Sequence, residues 1–181
     1  MSRLFPAKLV AQAVELLENC KRAKLRLATA ESCTGGLICA LLTEVPGASS
    51  VLERGFITYS NAAKREVLGV GEELLQVHGA VSQSVACAMV SGVFSRCPDV
   101  GLAIGVTGIA GPGGASPERP SGLVHLAAAR RGMGLTHKRI LCHGGRTKVR
   151  LTTAAMALTM LSTLATAKSS LAIKHIIQSH E

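Results

Sequence analysis

Three short apolar runs, Leu25–Ala30, Val51–Tyr59 and Val100–Val106, each lead into a polar turn: Glu31–Gly36, Tyr59–Lys64 and Thr107–Gly114. A buried strand, a polar turn and a resumed helical pattern form the repeating unit of an open α/β sheet. Such sheets collect ligand sites at the carboxyl ends of their strands. Three turns of this kind in 181 residues predict one shared site at one end of one sheet. The length suits one full-sized domain and is short for two, so residues 1–181 read as a single domain.

The rest of the pattern fills in the helices. Leu9, Ala13, Leu16 and Leu17 recur at helical spacing behind Pro6, and Lys21–Lys24 suits the C-terminus of that helix. Further helices are predicted over Leu37–Thr43 and Asn61–Leu68, from Leu74 to a break near Gly79, and from Ser82 to about Arg96. Leu123–Ala129 and Leu135–Cys142 form a hairpin about Arg131–Gly134. A long helix runs from about Thr147 to Ala167, and a terminal one over Leu171–Ile177. The whole is an α/β domain with a mixed sheet and helices on both faces. Leu151–Ala167 is apolar nearly all round, so it is deeply buried or packs on a partner, and a symmetric homo-oligomer is expected.

Charge bears on what this site receives. The net charge is +9, and from Arg119 to Lys174 there are ten Lys or Arg and no Asp or Glu. The stretch is either a solvated basic face or a field that draws in anions. With three Phe, one Tyr and no Trp there is little to stack bases, so no stable nucleic-acid binding is expected. None of the six cysteines forms a C-x-x-C pair, and the six histidines lack metal spacing, so neither metal nor cofactor is expected. His78, His125 and His137 read as structural or surface groups. No signal peptide is expected, and the Thr-, Ser- and Ala-rich run Leu151–Ala167 reads as a core helix rather than a membrane span. A cytoplasmic location follows as the default.

Ser32 stands before the Gly35-Gly36 helix start, either as an ordinary cap or as a nucleophile beside N–H groups able to hold an oxyanion or phosphate. A serine nucleophile needs a base. The one aspartate, Asp99, precedes a strand, and there is no G-x-S-x-G elbow, so a Ser-His-Asp triad is poorly supplied. Tyr59 and Lys64 lie five residues apart across the second turn and can face one cleft. A partly buried lysine near other positive charge has a lowered pKa and can serve as a neutral base, with the tyrosine hydroxyl relaying a proton. The third turn lacks the Lys-Ser or Lys-Thr of a Walker loop and reads as a flexible loop headed by Thr107. Arg146, opening the long helix after Gly144-Gly145, is placed to meet an anion.

Four stretches taken together resemble the CinA C-terminal domain family, the nicotinamide mononucleotide deamidases. They are Ala30–Gly36, Gly55–Asn61 with Lys64, His78–Ser82, and Thr107–Gly114, within a match running from about residue 9 to 164. The resemblance implies a three-layer α/β/α fold. It implies hydrolysis of nicotinamide mononucleotide to nicotinate mononucleotide and ammonia, without metal or other cofactor. On that pattern Ser32 attacks the carboxamide, Lys64 takes its proton and Tyr59 assists. The N–H groups of Thr34 and Gly35 would support oxyanion or phosphate, within a substrate-binding set of Cys33, Thr34, Gly35, Gly36, Asn61, Thr107, Gly108 and Arg146. The family often carries an acidic or small polar residue where this chain has Gly145.

Overall fold

Strands β1 (Leu27–Glu31) and β3 (Leu102–Gly108) are apolar and covered on both faces, which places them at the centre of a sheet. A computed structural model describes residues 4–167 and shows this sheet to have five strands. The terminal helix read over Leu171–Ile177 lies outside the described residues. With β2 (Leu52–Ile57), β4 (Leu123–Arg130) and β5 (Leu135–Leu141), the spatial order is β2-β1-β3-β4-β5. The first three strands run parallel, and the hairpin β4–β5 joins antiparallel to β3, so the sheet is mixed. The parallel run explains why the three polar turns meet: each follows the carboxyl end of a neighbouring strand.

Helices α1 (Ala7–Arg22), α2 (Leu37–Thr43) and α6 (Arg146–Thr166) cover one face, packing Leu16, Ile38, Leu41 and Leu158 on Ile104 and Leu126. Helices α3 (Asn61–Leu68), α4 (Glu72–His78) and α5 (Gln83–Arg96) cover the other, with Leu68, Leu75, Met89 and Val90 against Ala103 and Ala127. Three layers with a mixed sheet result. α6 is the one described helix long and apolar enough to cross a membrane, and Val149, Ala157 and Leu161 on it are fully buried in the core. All six cysteines are free thiols.

Local chemistry sets the helix starts. Ser60 accepts from the Ala63 N–H at 3.0 Å and starts α3, which stops at Gly69 with φ +68°. Ser82 does the same for α5. β1 begins two residues later than its apolar run, because Leu25 N–H is still bonded to Cys20 O after α1. β2 ends before Tyr59, because the carbonyls of Thr58 and Tyr59 turn inward to Lys64.

The basic stretch proves to be largely internal bonding. Arg130 donates to the carbonyls of Leu164, Ala165 and Ala167 at the end of α6. Arg131 donates to those of Phe94, Cys97 and Val100 around the end of α5. Arg119 reaches His78 O at 2.9 Å. These arginines hold helix ends and loops, where the C-terminal dipole favours a cation.

One close approach yields a stability prediction. A Cβ added at Gly92 in α5 would stand 2.1 Å from Leu68 O of α3. Gly→Ala inside a helix normally stabilises by about 1 kcal/mol. Here the clash with backbone dominates, and we expect Gly92→Ala to cost about 1–3 kcal/mol. Thermal denaturation should show a melting point lower by about 2–8 °C. A variant melting at or above the parent would contradict the tight α3–α5 contact.

Candidate active site

Ser60 fixes the start of α3, and one turn later Lys64 points under the sheet end, where it is only 1% exposed. Its Nζ lies 2.9 Å from Ser32 Oγ, 2.8 Å from Thr58 O and 3.2 Å from Tyr59 O. It makes no ion pair among the described residues. Burial lowers its pKa below the usual lysine value, opposed only by Cys33. Burial also pushes the Cys33 thiol up to about 12, so Cys33 is uncharged near neutral pH and the opposition lapses there. Burial is therefore the whole cause; no neighbouring positive charge contributes. A neutral amine has two N–H bonds and one lone pair. The charged amine donates to all three oxygens, whereas in the neutral form the two carbonyls would accept its N–H bonds and the lone pair would face Ser32 Oγ. That is the arrangement a base needs to accept the hydroxyl proton.

The nucleophile turn is held from beneath. Ser32 N–H donates to Val106 O at 3.0 Å. The fully buried Glu31 carboxylate accepts from Ile38 N–H at 3.1 Å and Cys39 N–H at 2.8 Å. The chain's own carboxylate thus fills the first turn of α2, so those amides are not open to a phosphate. Gly35 N–H is also taken, donating to Ser32 O at 3.0 Å. This corrects the expected oxyanion pair of Thr34 and Gly35. The N–H groups of Cys33 and Thr34 donate to no protein oxygen among the described residues. Cys33 lines the cleft, so its amide is the candidate oxyanion donor, whereas Thr34 is fully buried behind it.

A cleft of ≈220 Å³ opens over the pair. Of the candidate site residues, Ser32, Cys33, Tyr59, Lys64, Thr107, Gly108 and Arg146 line it. Thr34, Gly35, Gly36 and Asn61 do not. Thr34 is buried, Gly36 packs on Ile57, and Asn61 is exposed on the first turn of α3. Tyr59 joins the site differently from its predicted relay. Its ring is 61% exposed and its hydroxyl accepts from Arg146 Nη2 at 3.2 Å, while its carbonyl touches Lys64. Arg146 Nη1 also donates to Gly111 O at 3.0 Å, so this arginine ties the second turn to the third. Thr107 donates to Ala80 O at 2.7 Å and thereby holds the Ala80–Val81 wall.

That wall and Ile109–Gly111 opposite lie in stretches the sequence placed near the site, but no individual role was assigned to them because their side chains carry no reactive group. Arg150 was missed although a signal existed: it stands four residues past Arg146, hence on the same helix face. Among the described residues no imidazole and no carboxylate lines the cleft. His125 and His137 pair with each other at 3.0 Å elsewhere, and burial with nearby positive charge holds His125 at about 4. A larger groove of ≈330 Å³ between α1 and α6 is lined by Glu15 and hydroxyl side chains, and among the described residues none of these hydroxyls hydrogen-bonds the carboxylate.

The sequence matches the CinA C-terminal domain family over residues 9–165. It is 57% identical over 107 residues to a CinA-like protein of Chlorobium luteolum, covering 59% of this chain and 25% of that protein. It is 50% identical over 136 residues to a CinA-like protein of Anaeromyxobacter dehalogenans, covering 75% and 33%. The chain thus spans about a quarter to a third of the length of these curated relatives. Among solved structures, the competence/damage inducible protein CihA from Agrobacterium tumefaciens superposes with a TM-score of 0.87 at 46% identity, covering 90% of this chain and 99% of that one. The competence damage-inducible protein A (ComA) from Klebsiella pneumoniae superposes at 0.83 and 35% identity, covering 88% and 99%.

Proposed function

The chain belongs to the CinA C-terminal domain family, and from that premise we propose that it is a cytoplasmic amidohydrolase acting on nicotinamide mononucleotide. The observation that carries this reading is the 2.9 Å contact between the buried Lys64 amine and Ser32 Oγ at the floor of a cleft. A binding module has no use for a desolvated amine aimed at a hydroxyl. The choice of nucleotide rests on the family resemblance and on a cleft that Lys64 and Arg146 line, with no carboxylate beside them among the described residues.

The steps follow from the groups present. Ser32 Oγ attacks the carboxamide carbon as Lys64 Nζ takes its proton. The Cys33 amide, on the cleft side of the nucleophile turn, hydrogen-bonds the oxyanion. The tetrahedral adduct collapses as Lys64 returns the proton to the departing nitrogen, which leaves as ammonia. An ester on Ser32 remains. Water attacks it, Lys64 takes the water's proton, and collapse returns that proton to Ser32 and releases nicotinate mononucleotide.

Purified protein should therefore release ammonia and nicotinate mononucleotide in equal amounts, read by coupled ammonia assay and chromatography. Absence of both would leave the cleft as a noncatalytic nucleotide-binding site. Chelators should leave the rate intact, since nucleophile and base are both side chains.

Salt separates this reading from that of a nucleic-acid adaptor. Arg119, Arg130, Arg131, Arg146 and Arg150 all donate to main-chain carbonyls, which leaves their charge but commits part of their hydrogen-bonding capacity and their positions to the fold. One small anion predicts a loss in kcat/KM of less than about tenfold between 50 and 200 mM salt, against roughly 10³-fold or more for a surface contacting many phosphates. Binding of duplex DNA with that steep dependence would contradict the reading. We also propose a homo-oligomer, for which light scattering should give a multiple of 18.7 kDa.

A further inference from the structure

We propose that Arg150 is a positioning residue that holds the nucleophile turn, and with it the Ser32 hydroxyl and the Cys33 amide, by gripping the Thr34 carbonyl from helix α6. This rests on the serine-hydrolase reading above and adds to it a residue that touches neither Ser32 nor the cleft. Arg150 Nη2 donates to Thr34 O at 2.7 Å and Nε to the same oxygen at 3.3 Å. Two bonds from one planar guanidinium fix both the position and the direction of that carbonyl. The guanidinium lies over the outer side of the nucleophile turn, where a Cβ on Gly35 would stand 3.7 Å from Nη2.

The turn is otherwise held from beneath, by Ser32 N–H on Val106 O, and from within. Glu31 secures the amides of Ile38 and Cys39, and Gly35 N–H closes back on Ser32 O. Thr34 O and Gly35 N–H belong to one peptide, whose N–H closes on Ser32 O while its carbonyl accepts from Leu37 N–H at 3.3 Å. Arg150 grips that carbonyl from outside and so fixes the plane through which the turn closes on Ser32. Arg150 has no acidic partner among the described residues, so its charge is not balanced by a salt bridge that would explain its place. It stands one helical turn beyond Arg146, which grips Gly111 O and the Tyr59 hydroxyl. The start of α6 thus clamps all three strand-end turns, with Arg150 assigned to the one that carries the nucleophile.

The test uses the full chain and a probe that reads nucleophile and oxyanion hole without any assumption about substrate. A fluorophosphonate reacts when Ser32 Oγ displaces fluoride from phosphorus, with the serine proton passing to Lys64. Its labelling rate at Ser32, mapped by peptide mass, is compared with kcat and KM for nicotinamide mononucleotide. Arg150→Ala should slow labelling and kcat together by about 10- to 100-fold, as misplacing an oxyanion donor does, with KM within about threefold. Guanidinium added to the buffer should restore part of both rates. Arg150→Lys keeps the charge and stem but loses the fork, and should remain slow while folding as the parent does. That variant carries the test if the alanine protein does not fold. Lys148→Ala removes one exposed charge from the same helix turn and should label at the parental rate.

Parental labelling by Arg150→Lys, or a loss confined to KM, would overturn the proposal. Wild-type protein labelled at Ser32 yet inert toward nicotinamide mononucleotide would sink the substrate reading alone, and the labelling comparison would still decide the role of Arg150. Wild-type protein never labelled at Ser32 would overturn both.

Discussion

Ser32→Ala should lower kcat for amide release by about 10³-fold or more, leaving only what the cleft achieves by binding and by its amides. Because Ser32 is 7% exposed and its hydroxyl bonds only to Lys64 and the Tyr59 carbonyl, truncation removes one oxygen and little packing. Substrate affinity measured by calorimetry should stay within a few-fold of the parent, which separates lost chemistry from lost binding. Ser32→Cys should fare poorly as well. The longer C–S bond misplaces the nucleophile relative to Nζ at 2.9 Å, and the desolvation that pushes Cys33 up to about 12 would act on a thiol there too. Turnover in Ser32→Ala near the parental rate would remove the nucleophile from the account while leaving the cleft.

Lys64→Met should be comparably damaging, at about 10²-fold or more, since it removes the base for both half-reactions. The associated pH dependence has a definite sign. Only the neutral amine can take the proton, so kcat/KM rises with pH through the lowered Lys64 pKa and then levels off. A profile that falls as pH rises across that range would contradict Lys64 as base. Stability carries the same group in a second readout. The folded pKa lies below the unfolded value, so between the two the unfolded chain binds more protons. Unfolding free energy therefore climbs with pH from the lowered value up to the ordinary lysine value of 10.5, and this climb should be missing in Lys64→Met. Denaturant midpoints across that window would show it.

The fold was legible because strand ends and turns carry strong local signals. Gly-marked turns after apolar runs located the site, and the hydroxyls of Ser60 and Ser82 marked the starts of α3 and α5. The helix over Asn61–Leu68 came out at its observed bounds. What failed to show was anything decided by main-chain direction. Lys64 depends on two carbonyls, Thr58 O and Tyr59 O, that no pattern of side chains announces. The turn at Glu31 illustrates the same limit. Its amides read as an open anion site, yet a carboxylate from the adjoining strand occupies the start of α2. Tyr59 was brought into the site by its type, but its hydroxyl is turned to Arg146 and its carbonyl to Lys64.

The Gly145 departure has a physical reading in the structure. Gly145 caps α6 with φ −73° and ψ 167° and offers no side-chain bond. The helix start is instead held through Arg146 and Arg150, which reach across to Gly111 O and Thr34 O. An N-cap side chain contributes about 1 kcal/mol to a helix. Two arginines bound to loop carbonyls supply anchoring of another kind, one that links helix placement to the geometry of the site.

The claim on which the rest depends is that the substrate's acyl group passes through Ser32. Acid-quenched peptide mass spectrometry during steady turnover of nicotinamide mononucleotide tests it most directly. The account predicts that the peptide containing Ser32 gains the mass of the nicotinate mononucleotide acyl group, as an ester that vanishes once substrate is exhausted. Product accumulating while Ser32 stays unmodified, or an ester on any other residue, would contradict it.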